Sequence, residues 1–235
     1  MLVKDNTKVV GYVGTVSSNV LSMSSPARVG DLAWVGNSAN DGKVQSGHHI
    51  LGLNLPVPTE SVPVVAFFAY AALPGTVGGT NYDVVLNNIN CNASTITLDN
   101  QKVIVMGNCI LHVTDTFYAK GTTLLYITPG SKLDLYVGSQ FYAQDSAQLN
   151  TGGRPSQFTY HGLSGNSQGY IQASSRVVGT FSAPNTKIYV QDTAQFSGAG
   201  LCNELVFQGD SKFHYDESLN SGGAMAYQIA SWTEL

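Results

Sequence analysis

The stretch that decides the fold is Val103-Ile104-Val105-Met106-Gly107-Asn108, which leads to Leu111-His112-Val113 and then Phe117-Tyr118-Ala119. One coil later comes Leu133-Asp134-Leu135-Tyr136-Val137-Gly138, which leads to Phe141-Tyr142-Ala143. Apolar residues recur at spacing two, so each run reads as a short strand with one face buried. Gly, Asn, Asp, Ser and Thr separate the runs, as turns require. The pattern returns in Thr180-Phe181-Ser182-Ala183-Pro184-Asn185 with Ile188-Tyr189-Val190, and in Leu205-Val206-Phe207-Gln208-Gly209 with Phe213-His214-Tyr215. Equivalent residues lie on the order of 17 to 22 apart, about one coil of a solenoid. Such short runs fit poorly into an antiparallel sandwich or jelly roll, the competing all-β architecture. The expected fold is therefore an all-β parallel β-helix with short capping segments.

Working outward, residues 81–219 read as the main β-helix. Residues 54–80 form a Pro-containing linker or cap, because Pro56, Pro58 and Pro63 remove backbone donors. Within it, Ala66 to Leu73 reads as a short apolar helix or as a run laid against an open end of the solenoid, which needs cover. Residues 1–53 show the same punctuated alternation and read as first rungs or as a small separate β-layer. Residues 220–235 read as a docking tail joined through Ser221-Gly222-Gly223. Asn150 to Gly169 reads as a polar loop excursion of the kind that carries binding surfaces.

Composition narrows the function classes. Hydrophobic residues are 43% of the 235 and charged residues only 11%, against a usual charged share of about 25%. A disordered chain has the opposite balance. Lys and Arg total 11 against 15 acidic residues, so the basic stripe of a nucleic-acid binder is missing and no such partner is expected. The longest apolar run, Val62 to Leu73, is broken by Pro63 and is shorter than the roughly 20 residues of a membrane span. No membrane insertion is expected. The low charge and abundant Asn, Ser, Thr and Gly suggest an extracellular protein. Lys4, Asp5 and Lys8 leave no apolar signal core at the start, so the natural signal or anchor is read as missing from this chain.

Three cysteines, Cys91, Cys109 and Cys202, leave at least one unpaired within a monomer. Cys91 and Cys109 are about one coil apart, and two readings stand for them: a disulfide between adjacent rungs, or two buried thiols. Their spacing gives no zinc site, and no cofactor is expected. His214 and Asp216 share one face of a strand and are weak candidates for a metal. Their ordinary alternative is to hold backbone at the end of the solenoid. His48-His49 reads as loop or packing, and His112 and His161 as uninformative. Tyr118, Tyr126, Tyr136, Tyr142, Tyr160, Tyr170 and Tyr189 offer rings to sugars or protein partners if exposed. Tyr160 and Tyr170, in the expected loop excursion, are the candidate ligand contacts, with Arg154 beside them. Asp134, Asp145, Asp192, Asp210 and Asp216 recur about once per rung. With Arg154 or Arg176 nearby they suit a polysaccharide lyase or hydrolase, but turns also call for one Asp each.

Four segments in order resemble a family of bacterial cell-surface domains known only as a domain of unknown function. They are Lys102 to Asn108, Ser131 to Val137, Gly179 to Asn185, and Phe213 to Leu219 together with Ser231-Trp232-Thr233-Glu234. The resemblance implies a right-handed parallel β-helix in type IV pilus-associated, pilin-like proteins, with no established enzyme activity. The expected function is a non-enzymatic structural or adhesive module at the cell surface, with surface glycans or other surface and pilus proteins as partners. A polysaccharide lyase or hydrolase is the alternative.

Overall fold

The computed structural model describes residues 59–216 in full and, ahead of them, the backbone of seven short strands between Leu2 and Leu51. Among these residues the chain is a parallel β-solenoid of about seven turns, with essentially no helix. Each turn has three faces. The first complete turn is Val84–Asn87, Asn90–Ala93 and Ile96–Asp99. Directly upon it stack Lys102–Met106, Asn108–Val113 and Thr116–Lys120 of the second turn. The third turn is Leu124–Ile127, Lys132–Val137 and Gln140–Ala143, and the fourth is Gln148–Leu149, Phe158–Gly162 and Gln168–Ile171. Arg176–Val190 and Gln195–Phe207 each run around a whole turn, and Lys212–Tyr215 adds a further strand.

Register does the organising. Because pairing is parallel, each residue sits above its equivalent, and period-two alternation sends whole columns inward or outward. On the third face the inward column is Ile96, Phe117, Phe141, Gly169 and Ile188. Phe117 stacks on Phe141 with centroids 5.7 Å apart. Gly169 interrupts the column, and the ring of Tyr160 enters from the second face to stack on Phe141 at 4.6 Å. A side chain at Gly169 would begin 3.6 Å from the Tyr160 hydroxyl. That hydroxyl donates to Asn166 Oδ1 at 2.8 Å, and Thr186 Oγ1 donates to the same oxygen at 2.8 Å. The buried phenol is thereby satisfied, as a buried polar group must be.

This corrects the reading of Asn150 to Gly169 as one long excursion. Strands Phe158–Gly162 and Gln168–Ile171 occupy much of it, and a 3-10 turn at Pro155–Gln157 closes the remainder. Ala66 to Leu73 likewise contains no helix. Phe68–Ala69 is a strand that pairs with Cys91–Asn92 at the end of the solenoid. At the opposite end, the backbone of Leu2–Val3 pairs in parallel with Val206–Phe207, and that of Lys8–Val10 with Lys212–His214. Most of the expected 1–53 region, the first residues of the 54–80 linker and the whole 220–235 tail lie outside the described residues.

The corner between the third and first faces has its own column. Asn100, Gly121, Asp145, Ala173, Asp192 and Gly209 all have φ between 55° and 70°, and their backbones are tied turn to turn. Asn, Asp and Gly tolerate that left-handed conformation, whereas Ala carries a steric cost. Side chains of the same column fix neighbouring turns. Asp145 Oδ2 accepts from Gly121 N–H at 2.9 Å and Asp192 Oδ2 from Ala173 N–H at 2.9 Å.

Ala173→Gly should therefore raise the melting temperature. Relief of about 1–2 kcal/mol of left-handed strain outweighs about 0.5–1 kcal/mol of added chain entropy, for a net gain of about 0.5–1 kcal/mol. Gly198→Ala should do the reverse. Its φ is 144° and its Cβ would drive into the Gly179 carbonyl oxygen, which costs about 1–3 kcal/mol. Thermal melts of both variants check these backbone arguments, and a lower melting point for Ala173→Gly would contradict the account of the corner.

Candidate functional site

Two surface features stand out from the stack: a strap clasped to the second face and a ladder of tyrosines on the third. The outward column of the second face contains Asn92, His112, Tyr136, His161 and Ser182 in register. Residues 59–70 run along it, from the fifth turn back to the first. Glu60 begins the strap. Its Oε2 lies 2.8 Å from His161 Nδ1, and its Oε1 accepts from Ser182 Oγ. Farther along, the Phe67 ring meets that of His112 at 5.8 Å, and Tyr70 N–H donates to Asn92 O at 2.8 Å. The strap's outer side is apolar and exposed at Val64, Val65, Phe68 and Leu73.

His161 is held on three sides. Nε2 lies 3.3 Å from Asp134 Oδ1, which also pairs with Lys132 Nζ at 2.9 Å. The Tyr136 ring lies flat on the imidazole at 4.3 Å. Burial alone would lower the His161 pKa, but hydrogen bonds to Asp134 and Glu60, and their charges, hold it above the ordinary 6.5. Burial alone would raise Glu60, but His161 and Ser182 hold it below 4.5. Asp134 is likewise held below 3.8 against burial by His161 and Lys132. Tyr136 is pushed up to about 12, first by burial and then by the two carboxylates. The cluster is an imidazole ring between two carboxylates, whose charges favour its protonated form. In the protonated form both ring nitrogens donate to these carboxylates, and the Ser182 hydroxyl donates to Glu60 Oε1.

The third face presents Tyr118, Tyr142, Tyr170 and Tyr189 outward, one per turn. Successive centroids are 4.7, 5.1 and 4.9 Å apart with planes within 9° of parallel. The rings therefore cover one another's faces and show solvent their edges and hydroxyls. Glutamines flank Tyr142 and Tyr170 on both sides. Tyr142 Oη donates to Gln140 Oε1 at 3.1 Å and Tyr170 Oη to Gln168 Oε1 at 3.0 Å. Two residues beyond the rings, Gln172 Nε2 donates to Gln144 Oε1 at 3.0 Å, and Gln191 Nε2 to Gln208 Oε1. Charges on this face are paired: Lys187 with Glu204 at 3.1 Å and Lys120 with Asp99 at 3.2 Å.

The expected contacts fall in different places. Tyr170 is a member of the ladder, in a strand and half-buried. Tyr160 points into the core at 3% exposure, so its ring offers nothing to a ligand, and the expectation that it sits exposed on a loop is corrected. Arg154 is exposed. Its backbone N–H donates to Gln157 Oε1 at 2.7 Å and its carbonyl accepts from Asn150 Nδ2 at 2.9 Å, and this fixes the turn in front of the fourth-turn strand. Cys91 and Cys109 are buried free thiols, opposite Leu111 and Leu133 respectively. His214 lies outward on Lys212–Tyr215, and Asp216 N–H donates to Gly198 O at 3.3 Å. Among the described residues no group of three or more His, Cys, Asp or Glu is placed to hold a metal. The once-per-rung acids are spread apart, with Asp134 on the second face and Asp145 and Asp192 at the third-to-first corner. His161 and Glu60 were missed by sequence reading, since contacts across 101 residues leave no local mark. The glutamines had one: Gln140-Phe-Tyr142-Ala-Gln144 is echoed by Gln168-Gly-Tyr170-Ile-Gln172.

A family model described as a domain of unknown function, DUF7305, matches residues 90–221. No curated protein and no solved structure matches the chain. Among the described residues, no helix is long and apolar enough to cross a membrane.

The clasp sets a pH window for strap docking. Glu60 and Asp134, with lowered pKa values, contribute above their ordinary 4.5 and 3.8 and lose that contribution as pH falls through the lowered values. His161, with a raised pKa, contributes fully below 6.5 and loses it as pH rises through the raised value. Exchange of the Tyr70 amide, corrected for intrinsic rates, should be slowest near pH 6 and faster at pH 3 and pH 9. Glu60→Gln should flatten that profile and speed exchange at pH 6 by about tenfold, in line with about 1.5–3 kcal/mol for a charge-assisted bond. An unchanged profile would mean that the strap is held by its apolar contacts alone.

Proposed function

The chain belongs to the DUF7305 family, whose description leaves the activity open, and from that premise we propose a non-enzymatic, extracellular structural or adhesive module of a bacterial surface or pilus-like assembly. The observation that carries the reading is the tyrosine and glutamine ladder of the third face. It is regular, half-exposed, and backed by a continuous core that holds it rigid. Binding groups on a rigid element lose little freedom when they engage a partner. The 11% charged composition is consistent with an extracellular setting. Polysaccharide cleavage is the competing activity. It needs two carboxylates at a set separation across one substrate, whereas Asp134 serves the clasp on the second face and Asp145 and Asp192, in one corner column, each hold a backbone N–H of the neighbouring turn.

Incubation with a panel of neutral and acidic polysaccharides, with and without calcium, followed by size-exclusion chromatography, separates the two. The module should retain polymer without shortening it, and Tyr142→Ala combined with Tyr170→Ala should abolish retention. Shortening of any polymer that disappears on mutating the acidic residues would make the protein an enzyme.

A further inference from the structure

We infer that the third face takes a neutral, linear, extended polysaccharide lying parallel to the solenoid axis, one sugar per turn. This rests on the reading of that face as the contact surface and adds the chemistry of what it contacts. Four observations point the same way.

The first is spacing. Tyrosine centroids advance by 4.7, 5.1 and 4.9 Å. A β-1,4-linked pyranose chain in its extended form advances by a step of similar size for each ring. Ladder and polymer stay in phase over four turns, and because alternate sugars are flipped about the chain axis, a like contact recurs at every second sugar.

The second is what the rings leave available. Their faces are taken by one another, so the usual flat stacking of a sugar on an exposed ring is closed except at the ends of the ladder. For the same reason the face lacks the apolar centre that a protein interface is built around. What remains is a row of phenol oxygens beside amides. Tyr142 and Tyr170 spend their O–H on Gln140 and Gln168, and the phenol lone pairs remain as acceptors. Gln172 spends one amide N–H on Gln144, and its second N–H is left as a donor. Acceptors and donors thus alternate across the face, as the hydroxyls of a sugar require.

The third is charge. Between the Lys120–Asp99 and Lys187–Glu204 pairs, the ladder residues Tyr142, Tyr170, Gln144 and Gln172 carry none. A uronic-acid or sulfated polymer needs uncompensated Lys or Arg, and each of these lysines already has a carboxylate.

The fourth is direction. Only along the axis do identical groups repeat, because around the solenoid the surface changes at every corner. A linear chain with identical units gains most by lying along the ladder, where each added pair of sugars repeats the contacts of the pair before it.

The test is length dependence. Cello-oligosaccharides and N-acetylchito-oligosaccharides of two to six sugars are titrated calorimetrically against the whole chain, with oligogalacturonate as the anionic control. At least one neutral series should gain more than tenfold in affinity from dimer to tetramer, level off by the hexamer, and change little between low and high salt. Tyr142→Phe and Tyr170→Phe keep the stacked rings and remove only the hydroxyls. Each should weaken the hexamer roughly fivefold while leaving the melting temperature in place. The inference is overturned by affinity that does not grow with length, by salt-sensitive preference for oligogalacturonate, or by retention of a protein partner instead. In those last two cases binding that still disappears with Tyr142→Ala and Tyr170→Ala leaves the contact surface standing and removes only its neutral-glycan assignment. Binding indifferent to those alanine variants overturns both.

Discussion

Every feature of this molecule depends on parallel pairing in strict register. Backbone hydrogen bonds between turns fix each residue above its equivalent, and the period of two then decides for whole columns at once whether they point to core or solvent. A column, once established, is costly to break. Phe117 and Phe141 hold the core beneath the third face, and the one interruption, Gly169, is filled by the ring of Tyr160 from the neighbouring face. The outward tyrosine ladder is the same register seen from outside, so core and surface follow from a single alignment. Stacked aromatic pairs add about 0.5–1.5 kcal/mol each beyond burial, so the ladder stabilises the scaffold that displays it.

The two surface features divide the work. On the second face the charged groups are spent internally: Lys132, Asp134, His161, Glu60 and Ser182 satisfy one another under the strap. On the third face the charges are paired at either end, Lys120 with Asp99 and Lys187 with Glu204, and the polar groups between them are amides and phenols. A solenoid can afford this separation because its faces are independent surfaces joined only at corners, and the corners here are held by Asn, Asp and Gly in the left-handed region.

The legible parts of the structure are those encoded locally. Alternation in Leu133-Asp134-Leu135-Tyr136-Val137 and its echoes specifies inward and outward residues without tertiary information, and the coil-length repeat specifies stacking. Asp145 and Asp192 read as turn residues and hold turns. Tyr160 is hard to place from sequence because its neighbourhood, rich in Gly and Asn, looks like loop. Its Phe158-Thr159-Tyr160-His161-Gly162 alternation is that of an ordinary strand, and the glycines clear space inside the solenoid. His161 reads as uninformative by itself because its meaning lies in Glu60, in another part of the chain. Neither propensity nor spacing carries such a contact.

That long-distance contact bears on how the molecule comes apart. A stack in which each turn touches only its neighbours frays from its ends, one unit at a time, with stability close to a sum of nearest-neighbour terms. Glu60 joins the strap to the fourth and fifth turns, while Tyr70 and Phe68 join it to the first. The strap is therefore a chord across the stack. It adds non-neighbour coupling to a one-dimensional chain of units, which makes loss of the outermost turn and loosening of the middle turns a shared event. It also imposes an order on assembly at the ribosome: Glu60 emerges 101 residues before His161, so the chord is drawn tight only after the turns it spans have formed.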